Sequence, residues 1–198
     1  MLYQLAHFLR DHLPLVWNGA DWLNGQLFAI RYGHRLRAVT ADWGKELPYA
    51  IVPLHDCATV DVVAFFARQP EEAFRFFHPH GFDNRSIRQL QRNPAFLAYM
   101  IQSTGEIGQK DYIGYFFLRS FFWGKCFRGR MVDIRWRGRG LGTQLNRWMN
   151  HLGFGLGMRI FETVSRENMA SYKSAMAASK CKVIKELKNN DLYLEILK

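Results

Sequence analysis

Cysteine is scarce: Cys57, Cys126 and Cys181 are odd in number and far apart. That spacing excludes a disulfide framework and a Cys-x-x-Cys zinc site, and it fits a reducing, cytoplasmic setting. Long apolar runs are missing as well. No stretch reaches the roughly 18 to 20 residues of a membrane span. The opening "MLYQLAHFLRDHLPLVW" is broken by Arg10, Asp11 and two histidines, and it has neither a basic start nor a small-residue cleavage site. No signal peptide is therefore expected. Internal repeats and low-complexity segments are absent. Acidic side chains are few, 17 against 27 Lys and Arg, which gives a formal net charge of +10. A basic balance admits nucleic acid, an acidic membrane surface or a phosphate-rich ligand as partner, and charge alone selects none of them.

The chain has 198 residues, 48% of them hydrophobic and 15% aromatic. That is enough for one domain with a sizeable core. Apolar residues at Leu2, Leu5, Ala6, Leu9 and Leu13 predict a short helix ended near Pro14. "GQLFAIRYG" and "HRLRAVTADW" read as a hairpin around Gly33-His34. Residues 1–45 are taken as an N-terminal extension and 46–198 as the main domain. Within the latter, "PYAIVPL" reads as a strand and "DVVAFFAR" as a helix, which "EEAFRFF" continues beyond Pro70. Asp83 caps a helix over "NRSIRQLQR". Three strands follow, "AFLAYMIQS", "YIGYFFLRSFF" and "CFRGRMVDI", then a helix over "LGTQLNRWMNHLGFGLG". "RIFETVS" is a strand, "ENMASYKSAMAASK" a helix, and "KVIKEL" and "LYLEIL" a terminal strand pair. This order gives an α/β protein on a largely antiparallel sheet, not a doubly wound one.

Chemistry concentrates at the strand-to-helix junction Arg137-Gly138-Arg139-Gly140-Leu141-Gly142-Thr143. Glycines let backbone N–H groups approach a ligand, the following helix adds its positive pole, and the two arginines add charge-assisted contacts. A diphosphate suits such a cradle. The Gly-x-x-x-x-Gly-Lys-Ser/Thr loop is absent, and Thr143 interrupts Gly-x-Gly-x-x-Gly. The pattern Arg/Gln-x-x-Gly-x-Gly/Ala, met by Arg137, Gly140 and Gly142, resembles the signature of the GNAT N-acetyltransferases. A second feature of that family, an Asn-x-Ala-Ser-like turn after the next strand, is matched by Asn168, Ala170 and Ser171.

The resemblance implies a mixed, mostly antiparallel sheet with a splayed central strand pair. It implies acetyl-coenzyme A as co-substrate and direct acyl transfer to a small-molecule amine. The amides around Gly138, Arg139, Gly140, Leu141, Gly142 and Thr143 would take the pyrophosphate, with Arg137 at the loop's start. Met131, Val132 and Asp133 would run beside the pantetheine arm. Asn168, Ser171 and Lys173 would lie near the cofactor. Many members place a thiolate-protonating Tyr seven residues after the Asn; here that position is Ala175, and the usual Gly-Phe is Ser179-Lys180. Tyr193 is then a candidate acid.

Candidate bases are Asp133, Glu162, His78 and His80, the histidines for a pKa near the working range. Two histidines alone do not make a zinc site, so no metal is expected. Lys180, Lys182, Lys185 and Lys188 read as a solvated face, while Phe121, Phe122 and Trp123 shape core, turn or a sugar pocket. The expected acceptor is an amino sugar, nucleotide-linked or free. Nucleic acid is not an expected partner, and a homodimer is compatible with the sequence. A second reading, a fold relative that binds coenzyme A or nucleic acid without turnover, is motivated by Ala175 and the missing Gly-Phe.

Overall fold

The computed structural model describes residues 14–41, 49–103, 111–187 and 190–198. Seven strands form one sheet: β1 (Tyr49–Pro53), β2 (Phe96–Ser103), β3 (Asp111–Phe121), β4 (Lys125–Val132), β5 (Arg159–Ser165), β6 (Lys180–Glu186) and β7 (Asp191–Leu197). Their spatial order is β1-β2-β3-β4-β5-β7-β6, and only β4 and β5 are parallel. Helices α1 (Pro14–Thr40), α4 (Leu141–Gly155) and α5 (Met169–Ala178) cover one face; α2 (Thr59–Ala67) and α3 (Asn84–Gln91) serve the other.

The parallel pair is short. Lys125, Cys126 and Phe127 are in register with Arg159, Ile160 and Phe161, and there the pairing ends. Beyond that point β4 stays with β3 up to Val132 opposite Gly114, and β5 stays with β7 up to Ser165 opposite Asp191. Each strand keeps its outer partner, so the two must diverge. The backbone groups facing the gap are left without a ladder.

The hairpin expected around Gly33-His34 does not form; the segment lies inside the 27-residue helix α1. Its buried positions Asn24, Phe28 and Tyr32, with Leu36 and Val39 partly buried behind them, recur every three to four residues, which is the helical period. Phe28 and Tyr32 join the main core with Leu145, Met149 and Leu152 of α4. Asn24 ties the helix to the end of β3: its Nδ2 donates to the Ser120 carbonyl at 3.0 Å, and the Phe122 amide donates to its Oδ1 at 3.0 Å. Pro14 opens this helix, where its missing N–H is no loss in a first turn. The helix expected over residues 2–13 falls outside the described residues. "EEAFRFF" yields only a single 3-10 turn at Glu71–Ala73, since Pro70 removes the donor a continuing helix needs. Asp83 does cap α3, accepting from the Arg85 and Ser86 amides at 2.9 and 3.0 Å.

Among the described residues no helix is long and apolar enough to cross a membrane. Phe28 is 1% exposed and Ile30 is 83% exposed on the same helix. Phe28→Ala should therefore cost about 3–5 kcal/mol by opening a cavity, and Ile30→Ala less than about 0.5 kcal/mol, read by thermal and denaturant unfolding.

Candidate active site

Where β4 and β5 part, a cleft of about 540 Å³ opens. Gly129 to Val132 form one wall, Glu162 to Ser165 the other, and the glycine loop closes one end. Asn168, Ser171 and Ser174 of the α5 region lie on one side, and Glu72, Ala73, Phe76 and Phe77 from the segment between α2 and α3 on the other.

The glycine loop is shaped by two positive φ angles, +75° at Gly138 and +78° at Gly140, a backbone region costly to side chains with a Cβ. Gly140 is the residue before α4, and its carbonyl accepts from the Thr143 and Gln144 amides at 3.1 Å each. Other amides of the first turn have no intrahelical acceptor, and with the helix pole they favour an anion. A Cβ on Gly138 or Gly140 would meet nothing within 4 Å, so space lies open beside both. The Arg139 guanidinium folds over the Trp136 ring, 4.8 Å from its centroid, whereas Arg137 lines the cleft.

Charged side chains form the floor. Arg128 Nε donates to Glu162 Oε2 at 2.7 Å, bridging the two strands one residue past their last paired position. Arg128 Nη1 also donates to Asn150 Oδ1. Both charged groups are buried, and Arg128 Nη2 and Glu162 Oε1 have no protein partner. Arg130 reaches across to α5, donating to the Ser171 carbonyl at 3.3 Å and to Ser174 Oγ. Its burial, with the neighbouring Arg128 charge and against the pull of Glu162, lowers its pKa to about 10. Asn168 caps α5, its Oδ1 accepting from the Ser171 amide at 3.1 Å.

Of the residues singled out from sequence, Met131, Val132, Arg137, Gly138, Gly140, Leu141, Gly142, Thr143, Asn168 and Ser171 line this cleft. Arg139, Asp133 and Lys173 do not. Asp133 turns away from the opening. Its carboxylate is 1% exposed and accepts from Arg68 Nε (3.0 Å), Gln69 Nε2 (3.1 Å), and the Arg135 amide and Nε (2.9 Å each). Burial alone would raise its pKa, but these donors hold it well below the carboxylate range, so it is no base. The cluster instead fastens the end of β4 to the end of α2, with Asp111 accepting from both Arg68 and Arg135 at 2.8 Å.

His80 is likewise no base in the cleft. Five rings surround it, those of Phe66, Phe82, Phe96, Tyr115 and Phe117. Its Nδ1–H donates to the Gly81 carbonyl at 2.8 Å, so the neutral ring accepts the Tyr115 hydroxyl at Nε2, 2.9 Å away. Burial lowers its pKa to about 4. His78 is exposed and outside the cleft lining. Tyr193 lies on the sheet face away from α4 and α5, stacked on Phe161 at 5.4 Å, directly opposite Thr163 of the cleft wall. Ala175 is fully buried, and Tyr172 packs against Val164, Leu192 and Leu194. Sequence reasoning missed Glu72, Ala73, Phe76, Phe77 and Ser174: the first four come from an irregular segment placed only by the fold. Ser174 lies one helical turn beyond Ala170, so the 3.6-residue period of α5 would have suggested it.

No protein-family model and no curated relative matches the sequence. Solved structures do match. The GNAT domain of S. lividans PAT aligns with a TM-score of 0.60 at 13% identity, over 75% of this chain and 88% of that one. The Campylobacter jejuni N-acetyltransferase PseH aligns at 0.56 and 12% identity, over 76% and 99%. The aminoglycoside acetyltransferase AAC(6')-Ib, solved with acetyl-CoA, aligns at 0.53 and 16%, over 76% and 92%. The chain has the GNAT acetyltransferase fold.

For His80 the sign is clear. A histidine whose pKa falls from about 6.5 unfolded to about 4 folded contributes stability present above the higher value and lost as pH drops through the lower. Melting temperature should fall between about pH 6.5 and 4, and His80→Gln should flatten that limb.

Proposed function

We propose that this chain is an acetyl-coenzyme A-dependent N-acyltransferase that transfers directly to a small-molecule amine, an amino sugar or a nucleotide-linked amino sugar. One observation carries the reading: the cleft left by the parting of β4 and β5 runs without a break into a glycine loop at the N-terminus of α4. The matched structures support it, since PseH is an N-acetyltransferase and AAC(6')-Ib is solved with acetyl-CoA.

The donor set fits the group. Amides at Gly138 to Thr143, with Arg137 beside them, would hold the pyrophosphate. The free edge of β4 at Met131 and Val132 would offer backbone groups to the pantetheine amides, with Asn168, Ser171 and Ser174 along the α5 side. Arg128, Arg130 and Arg137 outnumber the lining carboxylates Glu72 and Glu162, so a polyanionic ligand is favoured. When bound, acetyl-coenzyme A would supply the activated acyl group as its thioester.

An amine must lose its proton before it attacks a thioester carbonyl. Among the described residues, Glu72 and Glu162 are the carboxylates that line the cleft, and Glu162 is committed to Arg128. We assign the proton to Glu72, taken directly or through water at the solvent side. Phe76 and Phe77, next to it, give the acceptor an apolar wall. No tyrosine lines the cleft among the described residues, so the thiolate leaves to solvent.

Gly140→Val forces a side chain into the left-handed region at the pyrophosphate cradle. Affinity for acetyl-coenzyme A, titrated calorimetrically, should fall about tenfold or more. Unchanged affinity would refute the loop assignment. Glu72→Gln should lower kcat/KM on an amino-sugar panel about a hundredfold while acetyl-coenzyme A affinity holds.

A further inference from the structure

The sheet face that carries Tyr193 has a composition the cleft does not explain. Antiparallel partners share a face, so the register places Thr163, Phe161 and Phe127 on it with Tyr193 and Glu195, and Lys180, Lys182 and Lys185 beyond them. Lys125 and Arg159 close its other end, each over the Phe161 ring at 5.5 and 5.1 Å. Phe127, Phe161 and Tyr193 form one aromatic cluster, with centroids 5.4 to 6.2 Å apart. Five cations stand against two carboxylates on this face: Glu195, held by Arg159 at 2.7 Å, and Asp191, two residues before Tyr193 and opposite Ser165. Lys180, Lys182 and Lys185 are exposed.

The order outward from the cleft matters. Thr163 lines the cleft, Tyr193 is its direct neighbour on β7, and Lys185 is Tyr193's neighbour on β6. Successive strands lie about 4.8 Å apart, so the cleft wall, an aromatic ring and a lysine follow one another over about 10 Å.

We propose that this face is the acceptor subsite for a nucleoside-diphosphate-linked amino sugar, an inference that rests on the acyltransferase reading above. The sugar ring lies on Tyr193 with its amine turned into the cleft beside Thr163. Lys182 and Lys185 take the diphosphate. The nucleoside lies farthest from the cleft. A single-stranded nucleic acid fits less well. Phe161 is 3% exposed, which leaves two rings for stacking, and the free lysines sit along one edge and make no track through the patch.

The test titrates uridine diphosphate and UDP-N-acetylglucosamine into the full chain with the coenzyme A site saturated, so that the glycine loop cannot take the probe. Both should bind. Lys182→Glu combined with Lys185→Glu should weaken both about tenfold or more. Tyr193→Ala should weaken the sugar nucleotide more than uridine diphosphate. Melting temperature and acetyl-coenzyme A affinity should stay unchanged in the lysine variant. Absence of binding, equal affinity in the lysine variant, or binding of an oligo(dT) probe in place of the mononucleotide overturns the subsite. If acetyl-coenzyme A does not bind at all, the acyltransferase reading fails and with it the acceptor role; the lysine variant then separates a nucleotide site on this face, whose affinity it lowers, from binding at the glycine loop, which it leaves equal.

Discussion

Everything functional in this molecule depends on β4 and β5 ceasing to pair. Three residue pairs hold them together, and then each strand follows its outer neighbour. Sheets normally leave no unpaired backbone inside a domain, because buried N–H and C=O groups need partners. The opening is kept at a fixed place by side chains. The Arg128–Glu162 pair closes the fork just beyond the last ladder position, where both charges are out of water. Breaking such a pair leaves an uncompensated buried charge at a cost of about 3–5 kcal/mol. It holds the crotch of the fork even if its net contribution to stability is small.

The far end of β4 is held by different means. Asp133 gathers Arg68, Gln69 and Arg135, and Asp111 ties both arginines together again. This cluster connects the end of α2 to the strand that leads into the glycine loop. The loop's direction is thereby set from outside the cleft. His80 does similar work on the α2 and α3 side, where its two ring nitrogens link the Gly81 carbonyl to the hydroxyl of fully buried Tyr115. Two residues with the chemistry of a base are thus spent on architecture.

Positive charge is distributed between two places with different neighbours. Around the cleft, Arg128, Arg130 and Arg137 sit among glycines, serines and helix N-termini, an environment that favours an anion. On the outer face, Lys180, Lys182 and Lys185 lie beside Tyr193 and Phe127. The two groups are separated by the thickness of the sheet, and the cleft is the passage between them.

Much of the architecture was legible in residue order alone. Helical periodicity in α2 and α4, the cap at Asp83, the apolar runs of the strands and the glycine loop are local, and local physics determines them. The same holds for the anion-favouring character of Arg137 to Thr143, since it needs only glycine, a helix start and nearby cations. The hairpin at Gly33-His34 misread a local turn signal. Helix α1 forms because Phe28 and Tyr32 find a core formed by α4, some 120 residues later in the chain. The same long-range dependence governs Asp133, His80, Glu72 and Tyr193. Whether a carboxylate or imidazole meets a cleft, a cage of rings or three donors is decided by segments far off in sequence. The sequence by itself determined most of the elements and the glycine loop at the head of α4. Only the tertiary structure decided which titratable groups face the opening, because burial and pairing, not residue type, set their protonation.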